Sequence, residues 1–253
     1  MSKRYIVVKC GGSTINELTP LFYDRLKRYQ QEGNHLVVVH GGGSDVNDML
    51  DIMNVESTFV GGLRRTTPEV LAVADMVFNG KVNPKVCSAL QLAGVKTVGL
   101  SGCDGSMIQA RLLDENTLGL VGEAVEVNTD LLDQLTTRGL TPVISPIVSG
   151  PKGSRLNMNA DTAAAHYASS LGAREVIFVT NVPGIMKEGA VLPTVSEEEV
   201  HAFIDDGTIY GGMIPKVQAA IASLTGAVQK VTIINADGTG QGTSIHKSVV
   251  PTV

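Results

Sequence analysis

Two lysines in unusual local settings are the residues from which chemistry can first be read. Lys9 leaves an apolar, strand-like run and is followed by Cys10, Gly11, Gly12 and Ser13. In an open parallel sheet, ligands bind at the carboxyl ends of strands. Glycines placed there lack a Cβ, so backbone N–H groups can come close to a phosphate. Taken alone, the segment reads equally as a tight turn with a solvated lysine. Lys216 follows Gly211-Gly212-Met213-Ile214-Pro215, in which proline marks the first turn of a helix. A cation at that end opposes the helix dipole at a cost of about 0.3–1 kcal/mol, which points to an anion that it must meet. The plainer alternative is a lysine swung away to water.

The other candidate groups are donors for anions. His40-Gly41-Gly42-Gly43-Ser44 precedes a helix expected to begin near Asp45. Three glycines and a helix N-terminus make an anion site. This is not the dinucleotide fingerprint, whose third glycine would fall at Val46. The P-loop spacing is absent too, because Gly80-Lys81 is followed by Val82. Phosphate binding therefore needs a different loop design, and His40 by itself reads as a structural side chain. Gly62-Leu63-Arg64-Arg65-Thr66 offers an arginine fork suited to a carboxylate, although two surface arginines satisfy the same pattern. In Leu156-Asn157-Met158-Asn159-Ala160-Asp161, Asn159 and Asp161 either cap the alanine-rich helix that follows or converge with Asn157 as a polar cluster in a cleft.

Short β-branched runs must position these groups: residues 5–8, 36–39, 97–100, 142–147, 175–179 and 231–234. They are almost uniformly apolar, the pattern of parallel strands covered on both faces. Thr19-Pro20 and Thr67-Pro68-Glu69 read as an N-cap followed by proline. Ser196 with Glu199 reads as a capping box, and residues 163–171 as a tightly packed helix closed by Gly172. Alternating strands and helices give an α/β fold, a three-layer αβα sandwich with a central, mainly parallel sheet. Residues 107–112 and 118–125 flank Asn116-Thr117 and predict an antiparallel hairpin inserted into that plan. A soft boundary near Gly172 divides the chain into lobes 1–172 and 173–253.

Composition removes whole classes of function. The net charge is −5, there is no Trp and aromatics make up only 4%, so the basic stripe and stacking rings of nucleic-acid binders are missing. No apolar run approaches the roughly 18 residues of a membrane span. The first residues lead straight into a strand-like run, without the apolar segment of a signal peptide. Cys10, Cys87 and Cys103 are widely spaced, show no metal-type pairing and read as reduced. A cytoplasmic location is the expectation.

The motifs Lys9-x-Gly11-Gly12-Ser13, Val39-His40-Gly41-Gly42-Gly43, Gly62-Leu63-Arg64-x-Thr66, Asn157-x-Asn159-Ala160-Asp161 and Gly211-Gly212-Met213-Ile214-Pro215-Lys216 stand in order along nearly the whole chain. Together they resemble the amino-acid kinase family, and within it the members that act on N-acetylglutamate. The resemblance implies one amino-acid kinase domain over residues 1–253, with substrate binding and dimerisation in the first lobe and the nucleotide in the second. It implies ATP, with magnesium carried by the nucleotide, and phosphorylation of the side-chain carboxylate of N-acetyl-L-glutamate in arginine biosynthesis. Lys9 and Lys216 would stabilise the transferring phosphoryl group, and Asp161 would orient both. Gly12, Gly42 and Gly43 would bind phosphate and substrate carboxylate through N–H groups. Arg64 and Asn157 would hold the α-carboxylate and its surroundings. Asn181, Val182, Pro183, Gly184, Ile185 and Met186, with Thr208, Ile209 and Tyr210, would cradle the nucleotide. The family usually carries Asp at the position of Asn181. No metal-ligand set on the protein is implied.

The implied chemistry suits these residues. A carboxylate with an ordinary pKa of about 4.3 is already ionised at neutral pH and needs no general base. The difficulty is an anion attacking an anion, and cations and N–H donors are the remedy. The rival acceptor is an N-acyl-aminoadipate, because one methylene discriminates by only about 1–3 kcal/mol. The rival of another class is an inactive nucleotide-binding sensor, against which Lys9, Asp161 and Lys216 argue. Arginine-inhibited members of the family carry a helix ahead of the first strand. Only Met1-Ser2-Lys3-Arg4 precede it here, too few for a stable helix. The expectation is a homodimer insensitive to arginine, the dimer resting on the resemblance.

Overall fold

The computed structural model describes residues 4–12, 14–211, 213–226 and 228–247. Ser13 and Gly212, members of two glycine motifs, lie outside the described residues, as do Met1, Ser2 and Lys3. Among the described residues the central sheet has eight strands, in the order Thr194–Ser196, Thr243–His246, Lys230–Asn235, Glu175–Thr180, Tyr5–Cys10, His35–His40, Thr141–Ser145 and Thr97–Ser101. Every neighbouring pair is parallel except Lys230–Asn235 with Thr243–His246.

The uniformly apolar strands feed two separate cores. Tyr5, Val7, Val37 and Val39 point to one face, where they meet Ala163, Ala164, Tyr167, Leu132 and Val217. Ile6, Val8, Leu36 and Val38 point to the other, where they meet Phe22, Leu26, Val46, Leu50 and Val73. Side chains alternate across a strand, so both halves of each run are buried, as in the three-layer sandwich read from the sequence. Among the described residues, no helix is long and apolar enough to cross a membrane.

The local signals resolve mostly as read. Thr67 accepts from the Val70 N–H at the start of the Pro68–Val77 helix. Ser196 and Glu199 form the reciprocal capping box. Gly172 closes the Ala160–Leu171 helix in the left-handed region. Thr19 differs: its hydroxyl donates to the Asp237 carbonyl instead of capping its own helix.

Three features depart from the sequence reading. The run at 142–147 is two strands, because the chain leaves the central sheet at Pro146, which has no N–H for a ladder. Ile147–Ser149 then joins a second, four-stranded sheet with Arg155–Asn157, Ile108–Leu112 and Gly122–Val127. The expected hairpin belongs to that sheet and is antiparallel. However, Leu118 is not in a strand: Glu115–Leu118 is a helical turn, capped by Asp114 and ended by Gly119. A Cβ on Gly119 would stand 2.4 Å from the Thr66 carbonyl oxygen, so the turn is fixed by a long-range contact. Finally, a π-helical turn at Phe78–Val82 joins the Pro68–Val77 and Asn83–Leu92 helices.

Candidate active site

Lys9 lies near the carboxyl end of its strand, two residues before Gly11 of the first glycine loop. Asp161 lies in the first turn of the Ala160–Leu171 helix, whose N-cap is Asn159, accepting from the N–H groups of Asp161 and Thr162. The two sequence readings of this segment thus divide between neighbours. Asn159 caps, while Asp161 Oδ1 meets Lys9 Nζ at 2.8 Å. A carboxylate in the first turn also suits the helix dipole.

Lys216 sits in the first turns of the Met213–Ala222 helix and donates from Nζ to Asn181 Oδ1 at 2.8 Å. Asn181 directly follows the Glu175–Thr180 strand. The implied picture had Asp161 orienting both lysines; here Asp161 takes Lys9 and Asn181 takes Lys216. The four residues line one cavity of about 230 Å³ together with Gly11 and Thr14. Two ammonium groups there face one carboxylate. Burial, and then the charge of Lys9, lower the pKa of Lys216.

The two glycine loops cross backbone to backbone. A Cβ on Gly12 would lie 2.5 Å from the Gly43 nitrogen and 2.7 Å from the Gly42 Cα. Gly42 is hemmed in on its other side, where a Cβ would meet Phe78 and Val82 of the π-helical turn at 3.0 Å. Lys81 of that turn pairs with Asp45 at 2.9 Å, tying it to the Gly43–Ile52 helix. Helix onset at Gly43 is two residues earlier than expected. His40 is fully buried and structural. Its Nδ1–H donates to the Gly41 carbonyl at 2.8 Å, and its Nε2 accepts from Asn83 at 3.1 Å.

Arg64 is a buried residue, and burial lowers its pKa. It lies on a short hairpin of Phe59–Val60 and Leu63–Arg64. Its guanidinium stacks 4.6 Å from the centre of the Phe59 ring, and it donates to Ser57 Oγ at 2.6 Å and to the Gly43 carbonyl at 3.1 Å. These contacts orient the fork without using all five of its donors. Asn157 donates to Thr66 Oγ1 at 3.1 Å. Arg64, Asn157, Asn159, Gly42 and Gly43 line a cavity of about 160 Å³.

A third cavity, about 810 Å³, is lined by all nine residues assigned to the nucleotide cradle, from Asn181 to Met186 and from Thr208 to Tyr210. Ile185 and Ile209 are buried and shape it from within, whereas Met186 and Tyr210 are exposed at its mouth. Ile185 N–H donates to Thr243 Oγ1 at 2.8 Å, which anchors the first loop to the Thr243–His246 strand. Its volume falls within the roughly 300–1,000 Å³ of small-molecule sites. Asn181 and Lys216 line this cavity as well as the smaller one beside Lys9. Sequence reasoning missed Thr14, Ser57, Thr66 and the Lys81–Asp45 pair as neighbours of the site. Only Thr66 lay inside a motif that had been singled out.

The model of the amino acid kinase family matches residues 4–235. The chain belongs to the amino acid kinase family. Among amino acid kinases it is 47% identical to an acetylglutamate kinase of Halalkalibacterium halodurans, over 97% of both chains. The crystal structure of smu.665 from Streptococcus mutans UA159 superposes with a TM-score of 0.83 at 30% identity, covering 96% of this chain and 98% of that one. The carbamate kinase of Giardia lamblia bound to AMP-PNP has a TM-score of 0.71 at 17% identity, covering 98% and 100%, and shares the fold. A kinase of this family has to screen an anion approaching an anion, and the cations and glycine loops that line these cavities suit that need.

Proposed function

We propose that this kinase is an acetylglutamate kinase, transferring the γ-phosphoryl group of ATP to the side-chain carboxylate of N-acetyl-L-glutamate in arginine biosynthesis. The observation that carries the reading is the placing of Lys9 and Lys216 in one cavity, with an arginine-lined cavity and a larger nucleotide-sized one nearby. The acetylglutamate kinase relative at 47% identity supports the choice of acceptor.

In this reading the acceptor arrives ionised, and no side chain removes a proton. A carboxylate oxygen forms the new bond to the γ-phosphorus. The bond to the oxygen that bridges the β- and γ-phosphates breaks, and ADP leaves. Lys9 and Lys216 stabilise the charge on the transferring group, most strongly where it is greatest. Gly12, Gly42 and Gly43 offer N–H groups. Arg64 and Asn157 hold the α-carboxylate and its surroundings. The residues from Asn181 to Met186 and from Thr208 to Tyr210 hold the nucleotide. Magnesium travels with the nucleotide and supplies neutralising charge on its phosphates.

The lobes 1–172 and 173–253 divide acceptor from donor, and their closure over both ligands would exclude water. A homodimer in the cytoplasm completes the proposal. ADP release measured with N-acetyl-L-glutamate, L-glutamate, N-acetyl-L-aspartate and N-acetyl-L-aminoadipate tests it. The first should give the highest kcat/KM. A preference for the aminoadipate would reassign the acceptor, and silence with all four would leave a binding protein.

A further inference from the structure

The contact between Lys216 and Asn181 has an uneven charge balance. Lys216 Nζ donates to a neutral amide oxygen at 2.8 Å, and that same oxygen accepts from Thr180 Oγ1 at 3.3 Å. The hydrogen bond fixes the ammonium without cancelling its charge. Among the described residues, the charged groups of the surrounding elements do not cancel it either. Lys9, on the first strand, repels it, and Asp161, on the Ala160–Leu171 helix, is matched to Lys9. The larger cavity is also lined by Lys187, whose ammonium lies over the Phe203 ring, by Glu188 and by Tyr210.

We infer that Asn181 is a positioning residue, which holds Lys216 by a neutral acceptor and so keeps its positive charge available to the anion that enters between the two cavities. The inference rests on the kinase reading. A carboxylate at this position would grip the ammonium more strongly, by a charge-assisted bond. It would also change the sum over Lys9, Asp161, Lys216 and residue 181 from one positive charge to none, and weaken the attraction for phosphate. An apolar residue would keep the charge and lose the hold. Asparagine is the choice that separates position from neutralisation. The lowered pKa of Lys216, set by burial first and Lys9 second, fits an ammonium without a counter-ion.

The test reads the protonation of Lys216 directly. The ligand-free protein is labelled with trace acetic anhydride across a pH series, and modification of Lys216 is quantified by mass spectrometry. Asn181→Asp should move the labelling midpoint upward by about one pH unit, the lower end of what a neighbouring opposite charge produces. In the same variant the KM for ATP should rise severalfold, and the alkaline limb of kcat should move up with the midpoint. Asn181→Ala should leave the midpoint within a few tenths of wild type and lower kcat, because only the hold is lost. Equal midpoints in wild type and Asn181→Asp, or an upward shift in Asn181→Ala, would overturn the inference. An inactive wild-type protein whose midpoints still moved as described would sink the kinase reading and leave the neutral tether standing.

Discussion

Lys9 Nζ and Asp161 Oδ1 stand 2.8 Å apart, joining the end of the first strand to the first turn of the Ala160–Leu171 helix. The side chains are 15% and 32% exposed, so the pair is shielded enough to set where Lys9 points. Asp161→Asn keeps the shape and removes the charge. We expect kcat to fall on the order of 10²-fold, with KM for both substrates changed only a few-fold, because a misplaced Lys9 is felt mainly in the transition state. Steady-state kinetics decide. An unchanged kcat would mean that the pair is structural.

Lys216 and Arg64 should separate by kinetic profile. Lys216→Ala should lower kcat far more than it raises any KM. Its contact strengthens only as charge develops on the phosphoryl group. Arg64→Ala should mainly raise the KM for the acidic acceptor, since its guanidinium faces the smaller cavity beside Gly43 and Asn157. Identical profiles for the two variants would refute this division of roles.

Gly12→Ala should damage both stability and activity. The added methyl group would sit 2.5 Å from the Gly43 nitrogen, so one glycine loop must move away from the other. Overpacking of this kind costs about 1–3 kcal/mol. Thermal unfolding should register it as a lowered Tm, and the displaced Gly42–Gly43 turn as a raised KM for the acceptor. Wild-type values for both would show that the loops adapt freely.

The parts of this architecture legible in the sequence are those encoded locally. The inner strands Tyr5–Cys10 and His35–His40 bury both faces, so residues such as Val7 and Val8 read as one apolar run although they serve different cores. Lys9 and Lys216 stood out because each is odd within its own few residues. The partner of Lys216 did not, since Asn181 lies 35 residues away and is reached only when the helix packs over the strand end. The same holds for Asn157 and Thr66, which are 91 residues apart. The hairpin turn was misread because its shape is set by Gly119 against Thr66, not by Asn116-Thr117. The π-helical turn at Phe78–Val82 leaves no periodic trace, and its use shows only in how Phe78 and Val82 frame Gly42.

His40 should make the protein acid-sensitive without taking part in catalysis. Its Nδ1–H and Nε2 have their partners in the neutral state, and burial pulls its pKa from 6.5 to about 4. The unfolded chain therefore binds the proton more readily than the folded one. The stability that His40 contributes is fully present above about pH 6.5 and is lost as the pH falls towards 4, roughly 3 kcal/mol between these limits. Urea unfolding at pH 7 and pH 5 should show a smaller difference in His40→Gln than in wild type, by about 2 kcal/mol. Equal differences would place the acid sensitivity elsewhere.

Transfer to a carboxylate leaves an acyl phosphate, which can be trapped. An acyl phosphate reacts with hydroxylamine to give a hydroxamate, whereas phosphoryl transfer to a hydroxyl or to water gives none. The protein is incubated with magnesium, ATP, N-acetyl-L-glutamate and hydroxylamine, and ADP and hydroxamate are counted together. One hydroxamate per ADP is expected, located by mass spectrometry on the side-chain carboxyl group, and neither product in Lys216→Ala on the same timescale. ADP released at a full rate without hydroxamate would contradict transfer to a carboxylate.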